Sequence, residues 1–246
     1  MTGARRDGRQ PEDLRPLIFQ RDFTEFALGS VLVSSGRTRV LCTVSVEDRV
    51  PGWMRGTGKG WVTAEYSMLP GSTGERVERE AARGRVSGRT QEIQRLIGRS
   101  LRAVTTREAM GEMQVIVDCD VLQADGGTRT AAICGAYVAL HDAFTRMLNK
   151  GTIGAHPLAE ECAATSVGIV DAVGLLDLDY SEDVRAEVDM NVVMTGSRRY
   201  IEVQGTAEGL PFSRSELDGL LELAADGIGR IVDLQRATVA EPPAPR

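Results

Sequence analysis

The sequence predicts an α+β fold, mixed β-sheets packed against helices. Three observations point to it: seven strand-like segments, three segments of helical periodicity, and the way the two kinds alternate along the chain. The strands are read from alternating or continuous apolar runs at 30–33, 40–46, 61–68, 113–122, 163–170, 188–194 and 200–204. The first helix is read over 89–104, where Ile93, Leu96, Ile97, Leu101 and Val104 recur at helical spacing and form one apolar stripe. Arg95, Arg99 and Arg102 share the opposite face. The second helix follows Gly126 and Gly127 directly and runs to about Asn149. The third opens at Ser213 with Glu216 three residues on, the spacing of a capping box, and continues through Leu217, Leu220, Leu221 and Ala224. No internal repeat and no long linker divides the chain. One domain over 1–240 is therefore expected, with EPPAPR at 241–246 as a disordered tail.

With 42% hydrophobic and 26% charged residues, a chain of 246 can build a core without disulfides or a structural metal. Its longest apolar run, AAICGAYVAL, is well short of the ~18 residues of a membrane span, so no membrane partner and a cytoplasmic location are expected. Cys42, Cys119, Cys134 and Cys162 form no CxxC pair and read as buried free thiols. With only His141 and His156, neither paired at ligand spacing, a zinc site or a histidine-centred triad is excluded, and any metal must be held by carboxylates, which points to magnesium. His141 reads as structural or exposed, and Met190, Met194 and Trp61 as packing. The charge is uneven: residues 1–107 carry 19 basic and 12 acidic side chains, residues 108–246 carry 10 and 23. The first part suits a polyanion and the second a cation.

The most informative segment is CDVLQADGGTRTA, 119–131, where a strand runs into two glycines and straight into a helix. Gly126 and Gly127 allow close approach of the backbone to an anion, Thr128 adds a hydroxyl, and Arg129 adds a planar fork at the helix N-terminus. The spacing matches neither a P-loop nor a dinucleotide fingerprint, so a single phosphate is the expected guest. Arg89 points the same way: at the start of the first helix it projects near the apolar stripe, where its charge needs an anionic partner.

Six runs, VLCTVSVE, GWVTAEYSMLP, SGRTQEIQRLIGRSLR, CDVLQADGGTRTA, AEVDMNVVMT and IEVQGTAEG, resemble those of the bacterial ribonuclease PH family in order and spacing. The resemblance covers roughly residues 8–236 and implies the ribonuclease PH-type fold and phosphate-dependent 3′-to-5′ trimming of RNA, chiefly precursor tRNA. It places the phosphate on Arg89, Gly127, Thr128 and Arg129, with Arg89 and Arg129 counted as catalytic, and gives Asp183 and Asp189 the magnesium or acid role. Six residues of extended strand would separate those aspartates by ~20 Å, so the chain must bend between them. Glu187 is the reserve carboxylate. Arg76, Arg79 and Arg83, in the arginine-rich stretch ERVEREAARGR, are implied RNA contacts, joined by Arg95 and Arg99 of the first helix; where several members carry an arginine after LP, this chain has Gly71. A homohexamer, a trimer of dimers, is also implied. The rivals are a non-catalytic scaffold subunit of an RNA-degrading ring and a magnesium-dependent hydrolytic exonuclease.

Overall fold

The computed structural model describes residues 5–246, apart from the side chains of residues 81 and 83. The chain forms β1 (Leu17–Arg21), β2 (Gly29–Ser35), β3 (Thr38–Glu47), β4 (Trp61–Met68), α1 (Gly88–Ala103), β5 (Gln114–Gln123), α2 (Thr128–Asn149), β6 (Cys162–Val170), β7 (Val173–Leu176), α3 (Tyr180–Asp183), β8 (Val188–Thr195), β9 (Tyr200–Ala207) and α4 (Arg214–Val239). The α+β expectation holds, and the seven expected strands and three expected helices are all present. Three short elements, β1, β7 and α3, carry too few residues to show a period in the sequence.

Two sheets result. The first has the order β1-β2-β3-β5-β4, antiparallel except where β4 runs parallel to β5; the second is antiparallel, β7-β6-β8-β9. Helix α2 packs on β2 and β3 of the first sheet and on β6 of the second, while α4 packs on β6, β7 and β8, and α1 on β4. Strand β6 is buried along its whole length: Cys162 and Ala164 join the core of the first sheet, Ala163, Val167 and Ile169 that of the second. Met190 and Met194 are core residues, and the four cysteines are buried and free, as expected.

Helix starts follow local chemistry. The Ser87 hydroxyl caps α1 by accepting from Thr90 N, and Ser213 with Glu216 forms a full capping box on α4. Trp61 departs from the expected core position. It lies half-buried on edge strand β4 with the Arg102 guanidinium 4.3 Å over its ring, so Arg102, expected on the solvent face, instead covers an indole and donates to Val62 O at 2.8 Å. His141 is half-buried, its ring 4.6 Å from that of His156. Residues 241–246, expected as a disordered tail, lie against the β1–β2 connection and helix α2: Arg246 donates to Asp22 Oδ1 and Arg146 to Ala244 O. Among the described residues no helix is long and apolar enough to cross a membrane.

Candidate functional site

The sheet order leaves a cavity of about 720 Å³ where the two sheets' loops meet, and the sequence-predicted residues converge on it. Its walls include Arg89 from α1, Gly127, Thr128 and Arg129 from the start of α2, and Asp183 and Asp189 from the second half, with Arg76 at its rim. The arginines Arg89 and Arg129 and the aspartates Asp183 and Asp189 therefore share one space.

The anion side is built by the β5–α2 junction. Gly126 and Gly127 have φ of 75° and 64°, left-handed values that favour glycine, and they turn the chain from strand to helix within four residues. Gly127 is the N-cap of α2 and offers no side chain, so no capping group competes for the first N–H groups of that helix. Thr38 of β3 anchors the loop, accepting from Asp125 N at 2.9 Å and donating to Gly126 O at 2.7 Å. The buried Tyr66 hydroxyl meets Thr128 Oγ1 at 2.8 Å. Burial raises the Tyr66 phenol above its ordinary range, against the lowering effect of that hydrogen bond, so it stays protonated and can orient the threonine. Arg129 is held through Nη1 alone, 3.2 Å from Glu92 Oε1 and 3.2 Å from Gln204 Oε1; among the described residues Nε and Nη2 take no protein partner. Half the fork is used to aim the other half.

The acidic side depends on the bend required by the spacing of Asp183 and Asp189. Asp179 and Glu182 form a capping box that starts the single turn α3, and Ala186 N donates to Asp183 O as the turn closes, bringing Asp183 back over β8. Asp189 and Asn191 are two apart on β8, so both face the cavity, with Ser166 of β6 opposite Asn191. Burial, with repulsion from Asp183, raises the Asp189 carboxyl from 3.8 to about 6. Burial also raises that of Asp183, opposed by Arg89, Arg129 and Arg15. Asp189 Oδ1 is buried without a hydrogen-bond partner among the described residues. An orphaned carboxylate oxygen beside a second carboxylate fits a hard cation. Among the described residues no cluster of three or more His, Cys, Asp or Glu is arranged for a metal. A cation here would draw its other ligands from water and phosphate oxygens, the habit of magnesium. Glu187 is turned away, accepting from Ala172 N at 3.4 Å, and does not line the cavity.

Of the remaining expected residues, Arg79, Arg95 and Arg99 lie outside the cavity. Arg79 and Arg95 are exposed, Arg99 pairs with Glu202, and the side chain of Arg83 lies outside the described residues. Sequence reasoning did not single out Tyr66, Glu92, Gln204, Ser166, Tyr180 or Asn191. Only Asn191 had a visible signal, its two-residue offset from Asp189 on a strand.

Comparison with known proteins gives the family and the fold. The model described as 3′ exoribonuclease family, domain 1, matches residues 13–145, and that of domain 2 of the same family matches residues 162–227. Rice (Oryza sativa) Rrp46 superposes with a TM-score of 0.75 at 21% identity, over 96% of this chain and 100% of its own. A chain of the Archaeoglobus fulgidus exosome with RNA bound to the active site superposes with a TM-score of 0.78 at 18% identity, over 94% of this chain and 92% of its own. At these identities the likeness to the two structures is one of fold. The two family matches together span most of the chain, in the order in which the two halves build the cavity, and the chain belongs to the 3′ exoribonuclease family.

Proposed function

We propose that this protein is a phosphorolytic 3′-to-5′ exoribonuclease of the ribonuclease PH type, which uses inorganic phosphate and magnesium to trim 3′ ends of RNA, precursor tRNA among them. The observation that carries the reading is the opposition, across one cavity, of an anion cradle (Arg89, Gly127, Thr128, Arg129) and a carboxylate pair (Asp183, Asp189). A scaffold subunit has no need of either. A hydrolase activates water and has no use for a second phosphate site.

In the proposed reaction an oxygen of inorganic phosphate attacks the terminal phosphorus of the RNA, the bond from that phosphorus to the preceding 3′ oxygen breaks, and a nucleoside diphosphate leaves. The nucleophile is already anionic near neutrality, so the protein's task is to place it and to offset charge between two phosphates. The N–H groups at the start of α2, the Thr128 hydroxyl and the guanidiniums of Arg89 and Arg129 do this. Asp183 and Asp189 would hold the magnesium ion, which when bound neutralises charge developing on the leaving oxygen. Whichever of the two aspartates keeps a carboxylate oxygen free of the metal can deliver the proton that the 3′ oxygen takes up. Arg76 at the rim, with Arg79, Arg83, Arg95 and Arg99, would grip RNA phosphates without reading sequence. Assembly as a homohexamer, a trimer of dimers, belongs to the same reading.

The deciding experiment incubates the purified protein with a 3′-extended tRNA, magnesium and labelled phosphate. Label in nucleoside diphosphates, with shortening that halts near the mature end, is the expected result. Nucleoside monophosphates formed equally well without phosphate would establish a hydrolase, and no trimming under either condition would establish a scaffold.

A further inference from the structure

The segment preceding β1 contains arginines that the cavity does not use. Arg15 is 5% exposed, and all its side-chain nitrogens are engaged. Nε and Nη2 donate to the Asp177 carboxylate at 3.0 and 2.6 Å, while Nη1 donates to Asp125 O at 2.7 Å and Gly126 O at 3.4 Å. Its backbone N–H donates to Asp177 Oδ2 as well, at 2.8 Å. One guanidinium thus joins the loop that leads into the anion cradle to the residue that leads into α3 and Asp183. The two loops also touch directly: a Cβ on Gly126 would stand 2.7 Å from Leu178 O and 2.8 Å from Tyr180 N. Asp177 sits at φ 54°, a left-handed value that must be held in place by its surroundings. Arg5, also buried, forks onto Glu182 of the α3 capping box with two bonds of 2.7 Å and donates to Leu176 O and Asp177 O.

We propose that Arg15 is a positioning residue of the reaction, locking loop 125–127 to turn 177–183 and thereby setting the separation between the phosphate cradle and Asp183. The proposal rests on the phosphorolytic reading above. Arg15 is not itself a phosphate ligand, because its donors are spent on Asp177, Asp125 and Gly126 and it is buried behind the loop. A buried ion pair is a poor device for stability alone, since apolar replacement of both partners commonly costs little. Its fork supplies fixed geometry between two loops distant in sequence. In-line transfer needs that: a misplacement of about 1 Å costs roughly a hundredfold in rate.

The test compares the wild-type protein with Arg15→Lys, which keeps one charge on Asp177 and gives up the fork, and with the paired variant Arg15→Met, Asp177→Asn. The pair leaves no buried charge, and asparagine tolerates the left-handed backbone. Each is measured by thermal melting, by RNA affinity without phosphate, by single-turnover trimming at varied phosphate, and by amide hydrogen exchange. Expected are folded variants with unchanged RNA affinity, a single-turnover rate at saturating phosphate lowered tenfold or more, and faster exchange in both 124–130 and 177–184 with no change in β2 and β3. A folded variant with the wild-type single-turnover rate at saturating phosphate, faster exchange confined to one loop, or failure of both variants to fold would overturn it. Wild-type protein lacking phosphate dependence would instead sink the phosphorolytic reading, and the exchange measurement would still judge the lock.

Discussion

Tyr66 and Thr128, 62 residues apart in sequence, share a buried hydrogen bond of 2.8 Å at the point where β4 passes the first turn of α2. The phenol fixes which way the threonine hydroxyl faces. Tyr66→Phe removes the hydroxyl without changing the ring. The fold should persist, while the phosphate concentration for half-maximal rate rises about two- to tenfold, the worth of one neutral hydrogen bond of ~0.5 to 1.5 kcal/mol. Steady-state kinetics at saturating RNA reads this; an unchanged phosphate dependence would mean that Thr128 does not touch the nucleophile.

Arg129→Ala removes a charged donor aimed into the cavity and frees Glu92 and Gln204. The half-saturating phosphate concentration should rise roughly ten- to more than a hundredfold, from ~1.5 to 3 kcal/mol for a charged hydrogen bond, with RNA affinity nearly unchanged. A loss confined to RNA binding would move Arg129 from the cradle to the RNA path.

Asp189→Asn retains shape but removes the charge and the proton. Single-turnover trimming should fall by orders of magnitude with assembly and fold intact. The melting temperature in metal-free buffer should be unchanged or higher, because the wild-type carboxylate is buried with Oδ1 unpaired among the described residues. Near-normal turnover would remove Asp189 from the site.

The same residue carries a pH signature. The Asp189 carboxyl is raised in the folded protein from 3.8 to about 6, so folding favours its protonated form. Its contribution is fully present below about pH 3.8 and is lost as pH rises through about 6. The metal-free wild type should therefore lose stability relative to Asp189→Asn across that window, and added magnesium should reduce the difference at pH 7. Parallel pH profiles in denaturant melts would show that the carboxyl is not perturbed.

Replacing Arg76, Arg79 and Arg83 together by alanine should weaken tRNA binding while short oligonucleotides are still trimmed. Each lost phosphate contact lowers the slope of log K against log salt by about 0.7 to 0.9. Unchanged affinity and slope would make these arginines ordinary solvated surface.

What could be read beforehand and what could not divides by distance along the chain. The cradle was legible because a strand, two glycines, a threonine, an arginine and a helix are contiguous at 119–131. The bend between Asp183 and Asp189 was required by strand geometry, and the Asp179–Glu182 capping box that produces it was already in the sequence. Tyr66, Glu92, Gln204 and Ser166 were not legible, because each comes from a different element, the first three to hold Thr128 or Arg129 and Ser166 to line the cavity, and only the tertiary fold brings those elements together. Arg15 was hidden for the same reason, its partners Asp125 and Asp177 lying 110 and 162 residues away. Trp61 was misread because an apolar strand residue beside a helix looks like core; β4 is an edge strand, and Arg102 roofs the indole.

Helix α2 supplies much of the first core and Cys134 to the second, and β6 has no face left for water. A cut in the connection at 150–161 would strip an apolar flank from both pieces at once, so the halves matched by the two family models should not survive apart. Their folding is one cooperative event: heat or denaturant should produce a single transition seen alike by far-ultraviolet dichroism and by tryptophan emission from Trp53 and Trp61. A cavity walled by both halves is then lost when either core unfolds, and loss of apolar packing in the middle of α2 will register chiefly as fewer active molecules.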